Sequence, residues 1–206
     1  PARHGDKDSC IPYQLQGLFA RLQLTTQSAV STKGLTQSFG WTGADAFAQH
    51  DVQELTMVLF EALERTDAAH FKRINALWQG KAVHFVEPQE VTDPAQRHER
   101  SEQFLDIQVP VAGTDGTLEG GLRQVVATEG LQGDNQWFCD ELERKVDAVK
   151  GTKYATLPDV LALHLMRFTF DYERLRRVKV LDPLVFPRTV DLAFLAQDEK
   201  GGVGDG

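Results

Sequence analysis

Apolar residues fall at three- and four-residue steps through the first part of the chain and at two-residue steps through much of the rest. Ile11, Leu15, Leu18, Phe19 and Leu22 follow an Asp- and Ser-bearing start, and Pro12 suits a first helical turn, so a helix is predicted over about 12–24. Val52, Leu55, Leu59, Ala62 and Leu63 form one stripe and predict a second helix over 51–64. Shorter helices are predicted over 32–40, ended by Gly40 before Trp41, and over 68–78, stopped by Gly80. Strand formers then dominate 81–86 and 104–111, where Pro110 marks an edge or a strand end, and the polar stretch 87–102 reads as a long hairpin connection. Residues 117–127 permit a helix in spite of Gly120 and Gly121, and 130–135 has turn chemistry. The clearest strand is 159–170, with Leu161, Leu163 and Leu165 facing one way, Ala162, His164, Met166, Phe168 and Phe170 the other, and both faces largely covered. Short strands are expected at 178–181 and 184–186, punctuated by Pro183 and Pro187. Helices first and strands afterwards make an α+β order, which disfavours a doubly wound sheet or barrel; no Gly-x-Gly-x-x-Gly supports either.

Composition narrows the functional classes. With 41% hydrophobic and 25% charged residues the chain is ordinary for a globular protein, and no apolar run approaches the roughly 18 residues of a membrane span. Net charge is −8 and the cations are scattered, which argues against a nucleic-acid surface. The start lacks a secretion signal, so cytoplasm and/or nucleus is the expected location. Cys10 and Cys139 belong to no Cys-x-x-Cys pair, and the six histidines show no metal-ligand spacing, so neither a metal nor another cofactor is expected.

Chemistry concentrates at Gln49-His50-Asp51-Val52-Gln53-Glu54-Leu55. Asp51 and Glu54 stand three apart at a helix mouth, where a capping box satisfies the spacing and a ligand site satisfies it too. The two are compatible, since a capped helix end is a rigid place for a recognition carboxylate.

This segment resembles the Gln-box of the ubiquitin-specific proteases, the papain-like deubiquitinases. A second block, Leu157-Pro158-Asp159 through Leu165-Met166-Arg167-Phe168, is similar to that family's strand signature. Val178-Lys179-Val180, Phe186-Pro187 and Val190-Asp191-Leu192 continue it in the right order, over about residues 11–194. Ser38-Phe39-Gly40-Trp41, Leu165-Met166-Arg167-Phe168 and Leu131-Gln132-Gly133-Asp134-Asn135 look most like the subgroup holding members seven and forty-seven. The resemblance implies a fingers-palm-thumb domain, incomplete here, within 1–194. Helices of a thumb would occupy 11–80, antiparallel palm and fingers strands 81–194, and a flexible polar tail 195–206. It also implies that Gln49, Asp51, Val52 and Gln53 at the helix mouth, and Leu165, Met166 and Phe168 with Lys179 nearby, flank a channel for the ubiquitin tail. That tail offers extended backbone, two arginines and a terminal Gly-Gly, for which carboxylates and amides beside a narrow apolar slot are suitable partners. Met166 and Phe168 fit plain core as well as slot lining, and Arg167 would need a carboxylate partner that the sequence does not name.

No catalytic residue is assigned. The family's Cys box lies upstream of Ile11-Pro12-Tyr13-Gln14-Leu15-Gln16 and its His box downstream of Val190-Asp191-Leu192, and neither is present. Cys10 falls where the family has linker, beside Asp6 and Asp8, which disfavour a thiolate. Of four zinc ligands in the family's fingers only Cys139 has a counterpart; Leu142 stands at its partner position and Glu87-Pro88-Gln89-Glu90 in the region of the other pair. The expected protein is a thiol-dependent deubiquitinase that hydrolyses the isopeptide bond after the ubiquitin Gly-Gly. Its expected partners are ubiquitin and ubiquitinated proteins, not nucleic acid or membrane, and this chain alone is expected to be inactive. The alternative is a catalytically inactive relative that binds ubiquitin or acts as a scaffold.

Overall fold

The two periodicities separate into two units, Pro1–Ala76 and Leu77–Gly206, in the computed structural model, which describes residues 7–40, 52–66, 68–90 and 97–196. In the first unit α1 (Ile11–Leu24) starts with Pro12 in its first turn. The next helix, α2 (Lys33–Ser38), closes at Gly40, whose φ of 81° is the left-handed conformation expected of a C-terminal glycine. Helix α3 spans Val52–Thr66 and α4 spans Ala68–Trp78. Helix α1 packs on α2 and α3, and Leu18, Ala62 and Phe71 are the buried apolar residues among those described. Phe60 meets Phe71 edge to face at 5.7 Å, joining α3 to α4. The stripe predicted on α3 holds from Leu55 onward but not at Val52, which is 69% exposed.

The second unit is built on β1 (Gly80–Pro88). It pairs antiparallel with β2 (His98–Phe104) on one side and β7 (Ala148–Thr156) on the other; β4 (Glu129–Leu131) completes the order β2-β1-β7-β4. Gly80 is therefore the first residue of a strand rather than a helix stop. The long connection predicted over 87–102 is corrected too, because 98–104 pairs with β1 from Val86↔His98 to Gly80↔Phe104. Every side chain of β2 before Phe104 is exposed, so neither face needs apolar residues and the usual alternation vanishes. Likewise 130–131, part of the 130–135 read as turn, belong to a strand held by its backbone against β7.

Strand β3 (Asp106–Pro110) pairs with β8 (Ala162–Met166) in parallel, which corrects the expectation of antiparallel strands throughout. The connection between them carries α5 (Leu118–Val126), which packs on β3 and β7. Thr117 caps α5 by accepting from Gly120 N–H at 3.0 Å, and the Asp115 carboxylate accepts from Thr117 N–H at 2.9 Å and from its hydroxyl at 2.6 Å. Gly121 is required by packing: a Cβ there would lie 2.6 Å from Val109 Cγ1 and 2.7 Å from the Pro110 carbonyl. The resulting core holds Ala82, Ile107, Val109, Leu118, Leu122, Val126, Tyr154 and Leu195. Leu195 lies in a short 3-10 turn (Ala193–Ala196) and is fully buried, so packing continues past residue 194, where the tail was expected to begin. The tail residues 197–206 lie outside those described.

Two hairpins stand apart from this core: β5 (Trp137–Cys139) with β6 (Arg144–Val146), and β9 (Phe168–Asp171) with β10 (Arg176–Lys179). The single strand predicted over 159–170 is thus two, broken at Arg167. There the Arg167 N–H donates to the Leu165 carbonyl at 2.8 Å, a three-residue turn that ends β8, while its own carbonyl accepts from Val180 N–H at 2.7 Å. The guanidinium donates to the carbonyls of Val180 and Asp182, so backbone oxygens satisfy the cation for which a carboxylate was sought. Of the strands expected at 178–181 and 184–186, the first is β10, shifted toward the turn; the second is only a bridge between Val185 and Thr117.

Candidate functional site

Four of the eight candidate residues come together in the second unit. Leu165 is half-buried beside fully buried Val109, and Met166 ends β8 opposite Pro110. Phe168 begins β9 directly across from Lys179, the last residue of β10. The Arg167 reversal therefore puts an apolar strand end and a cation on adjoining segments of chain. Both faces of 159–170 were expected to be covered, yet Met166 is 42% and Phe168 57% exposed. After the break the chain leaves the β3–β8 pair for the two-stranded β9–β10 hairpin. Exposed apolar side chains at a strand end are better suited to meeting a ligand than to filling a core.

Val52 and Gln53 belong to the first unit, in the opening turn of α3, with Glu54 beside them. Val52 is exposed and Gln53 half-buried. Gln49 and Asp51 lie outside the described residues, as does Trp41.

Around Cys139 and Glu90, in the segments compared with zinc-ligand positions in the sequence, the described residues form an ionic and thiol network. Arg144 pairs with Glu90, holding its carboxyl below the usual range. Cys139 is fully buried and donates its thiol to Glu141 Oε2 at 3.2 Å. That bond, backed by the nearby His98, pulls the Glu141 carboxyl down as well. The His98 ring also meets Trp137 at a tilt, 4.8 Å between ring centroids. Each of these contacts ties the β5–β6 hairpin to the β1–β2 end of the sheet or to its own turn.

The sequence reading passed over the face that β9 and β10 share. Register places Arg177 across from Phe170 and Lys179 across from Phe168, so cations and aromatics alternate on one surface. The signal was present in Phe168-Thr169-Phe170 and Arg176-Arg177-Val178-Lys179, but without the hairpin register nothing joined the two.

With this geometry in view, the comparisons with known proteins agree on one family. The description "Ubiquitin carboxyl-terminal hydrolase" matches residues 2–203, and the chain belongs to that family. Among curated proteins, ubiquitin carboxyl-terminal hydrolase 47 of Drosophila melanogaster is 41% identical over 200 residues, covering 93% of this chain and 13% of the relative. The Homo sapiens protein of the same name is 37% identical over 206 residues, covering 95% and 15%. Homo sapiens ubiquitin carboxyl-terminal hydrolase 40 is 38% identical over 192 residues, covering 92% and 15%. The chain thus spans about a seventh of the length of these relatives. Among the described residues no helix is long and apolar enough to cross a membrane.

Proposed function

We propose that this chain is the ubiquitin-gripping part of a cysteine-type deubiquitinase with the fingers-palm-thumb arrangement. In the second unit Leu165, Met166, Phe168 and Lys179 would contact the ubiquitin tail, and in the first Gln49, Asp51, Val52 and Gln53 would contact it too. Support comes from a family match across nearly the whole chain together with one structural observation: Met166, Phe168 and Lys179 sit together and exposed at the break between β8 and β9. Apolar side chains there would line the slot for the glycine-ended tail, while Asp51 and Gln49 would receive its arginines through charge-assisted hydrogen bonds. Cys139, being fully buried, is a poor nucleophile candidate, and catalysis is assigned to neither cysteine.

The test is calorimetric titration with ubiquitin alongside thermal melts. Asp51→Ala and Phe168→Ala should each weaken binding by about tenfold or more with little change in the melting midpoint. Equal loss of affinity and stability in Asp51→Ala would leave helix capping as that residue's whole role. This chain by itself should not turn over a ubiquitin-derived fluorogenic substrate, and turnover abolished by Cys10→Ala would overturn the assignment.

A further inference from the structure

Arg167 sits at the break between β8 and β9, with Met166 on one side of it and Phe168 on the other. The rung next to Phe168↔Lys179 would set it opposite Val180, and in an antiparallel ladder such a rung exchanges two backbone bonds. One of them forms, from the Val180 N–H to the Arg167 carbonyl at 2.7 Å. The return bond is diverted, because the Arg167 N–H is turned to the Leu165 carbonyl at 2.8 Å. That turn lets the chain leave β8, and it deprives the Val180 carbonyl of its ladder partner. Arg167 supplies the replacement from its own side chain: Nη1 donates to the Val180 carbonyl at 3.5 Å and also to the Asp182 carbonyl.

Val180 is buried, so an unanswered carbonyl there is costly and a donor has a purely structural use. The bond to Asp182 reaches further. It draws in the segment after β10, which Val185 fastens to the start of α5 by donating to the Gly116 carbonyl at 2.8 Å and accepting from Leu118 N–H at 2.9 Å. One guanidinium thus ties the break to a strap anchored on the core. The residues it holds are those of the candidate site: Met166 and Phe168 flank Arg167, and Lys179 precedes Val180 and faces Phe168. All three are exposed, so packing by itself does little to fix where they stand.

We propose that Arg167 is a positioning residue for the second unit's contact with the ubiquitin tail: by bridging the Val180 and Asp182 carbonyls, its guanidinium holds Met166, Phe168 and Lys179 in the arrangement that receives the tail. This rests on the reading of those three residues given above. The guanidinium itself meets backbone rather than ligand, and it contributes by lowering the cost of ordering exposed side chains on binding.

The experiment combines amide hydrogen exchange with calorimetric titration of the full chain by ubiquitin. Arg167→Met keeps the stem and removes the donors. It should speed exchange of the Val180 N–H about tenfold or more while amides of the β1–β7 ladder keep their rates, and it should weaken ubiquitin binding about tenfold. Arg167→Lys restores an ammonium donor on a shorter stem and should recover part of both; it carries the comparison if Arg167→Met lowers the melting midpoint. Arg167→Met combined with Phe168→Ala should weaken binding by less than the product of the single effects, since a displaced ring has less to lose. A merely structural role would multiply them, and that outcome overturns the proposal. Unchanged Val180 exchange or unchanged affinity in Arg167→Met, with Phe168→Ala still weakening ubiquitin, overturns it as well. Failure of the tail reading looks different: Phe168→Ala then leaves ubiquitin binding intact, and the positioning role falls with it even if Val180 exchange in Arg167→Met is fast.

Discussion

Strands β2 and β10 both lie at the edge of a sheet and both carry charged side chains, yet they treat charge in opposite ways. On β2, Glu99 pairs with Lys153 at 3.1 Å and with Arg97 at 3.0 Å, and Glu102 lies 3.6 Å from His84 Nε2. Its opposite charges are answered by its own sheet. Strand β10 has three cations of one sign, no described ion pair, and exposed aromatics alongside. The β2 edge is attached to a sheet whose β1 and β7 strands help form the unit's core, whereas β9 and β10 pair only with each other among the described residues. Neutralised charge at an edge closes a surface; unneutralised charge beside aromatic planes leaves it open to a ligand.

The largest test of that contrast is stability. Leu122→Ala removes a fully buried side chain from the core that β1 and β7 help build and should cost about 2–5 kcal/mol in denaturant unfolding. Phe170→Ala on the hairpin should stay within about 0.5 kcal/mol. A comparable loss from Phe170→Ala would mean that the hairpin is core.

Alkaline pH gives the next effect. Burial, with the Asp106 charge adding to it, pushes the Tyr154 hydroxyl up to about 12 from an ordinary value near 10. The unfolded chain ionises first, so this group's stabilising contribution is complete below pH 10 and disappears as pH rises through about 12. Stability should fall by on the order of 2 kcal/mol across that window, and Tyr154→Phe should flatten the fall. A slope unchanged by the substitution would remove Tyr154 as its source.

Capping comes third. Thr117→Ala should cost about 1 kcal/mol in chemical denaturation, and Thr117→Ser should recover most of it. If serine fails to restore stability, the hydroxyl is not what matters.

The smallest effect sharpens the comparison most. Glu99→Lys removes the partner of Lys153 and Arg97 and should cost under about 1 kcal/mol, because the pairs are partly exposed. Denaturant unfolding of Glu99→Lys, alone and combined with Lys153→Ala, reads the pair directly. A loss of several kcal/mol would mean that the charges of the β2 edge are part of the unit's core rather than its surface.

Much of this architecture was legible from periodicity wherever one face of an element is wet and the other dry. The helix predicted over 12–24 is Ile11–Leu24, that over 68–78 is Ala68–Trp78, and α5 forms despite Gly120 and Gly121. Elements wet on both faces, such as His98–Phe104, were invisible because backbone pairing leaves no mark on composition. The break at Arg167 was hidden for a related reason: its partners are carbonyl oxygens, which every residue carries. At the candidate site, residue types were readable from motif order. The adjacency of Phe168 and Lys179 came only from hairpin register, which depends on where the turn falls.

Parallel pairing of β3 with β8 sets an order of events during synthesis. Its two strands cannot meet until the whole of 111–161 has emerged and its ends have been drawn together, while β1 and β2 are separated in sequence by 89–97 alone and can pair much earlier. Pulse-labelled hydrogen exchange should find amides of the β1–β2 pair protected before those shared by β3 and β8, and simultaneous protection would argue against that order. Until the parallel pair closes, Val109 and Leu122 remain open to water, so the nascent chain is vulnerable to aggregation through residues that the finished fold conceals.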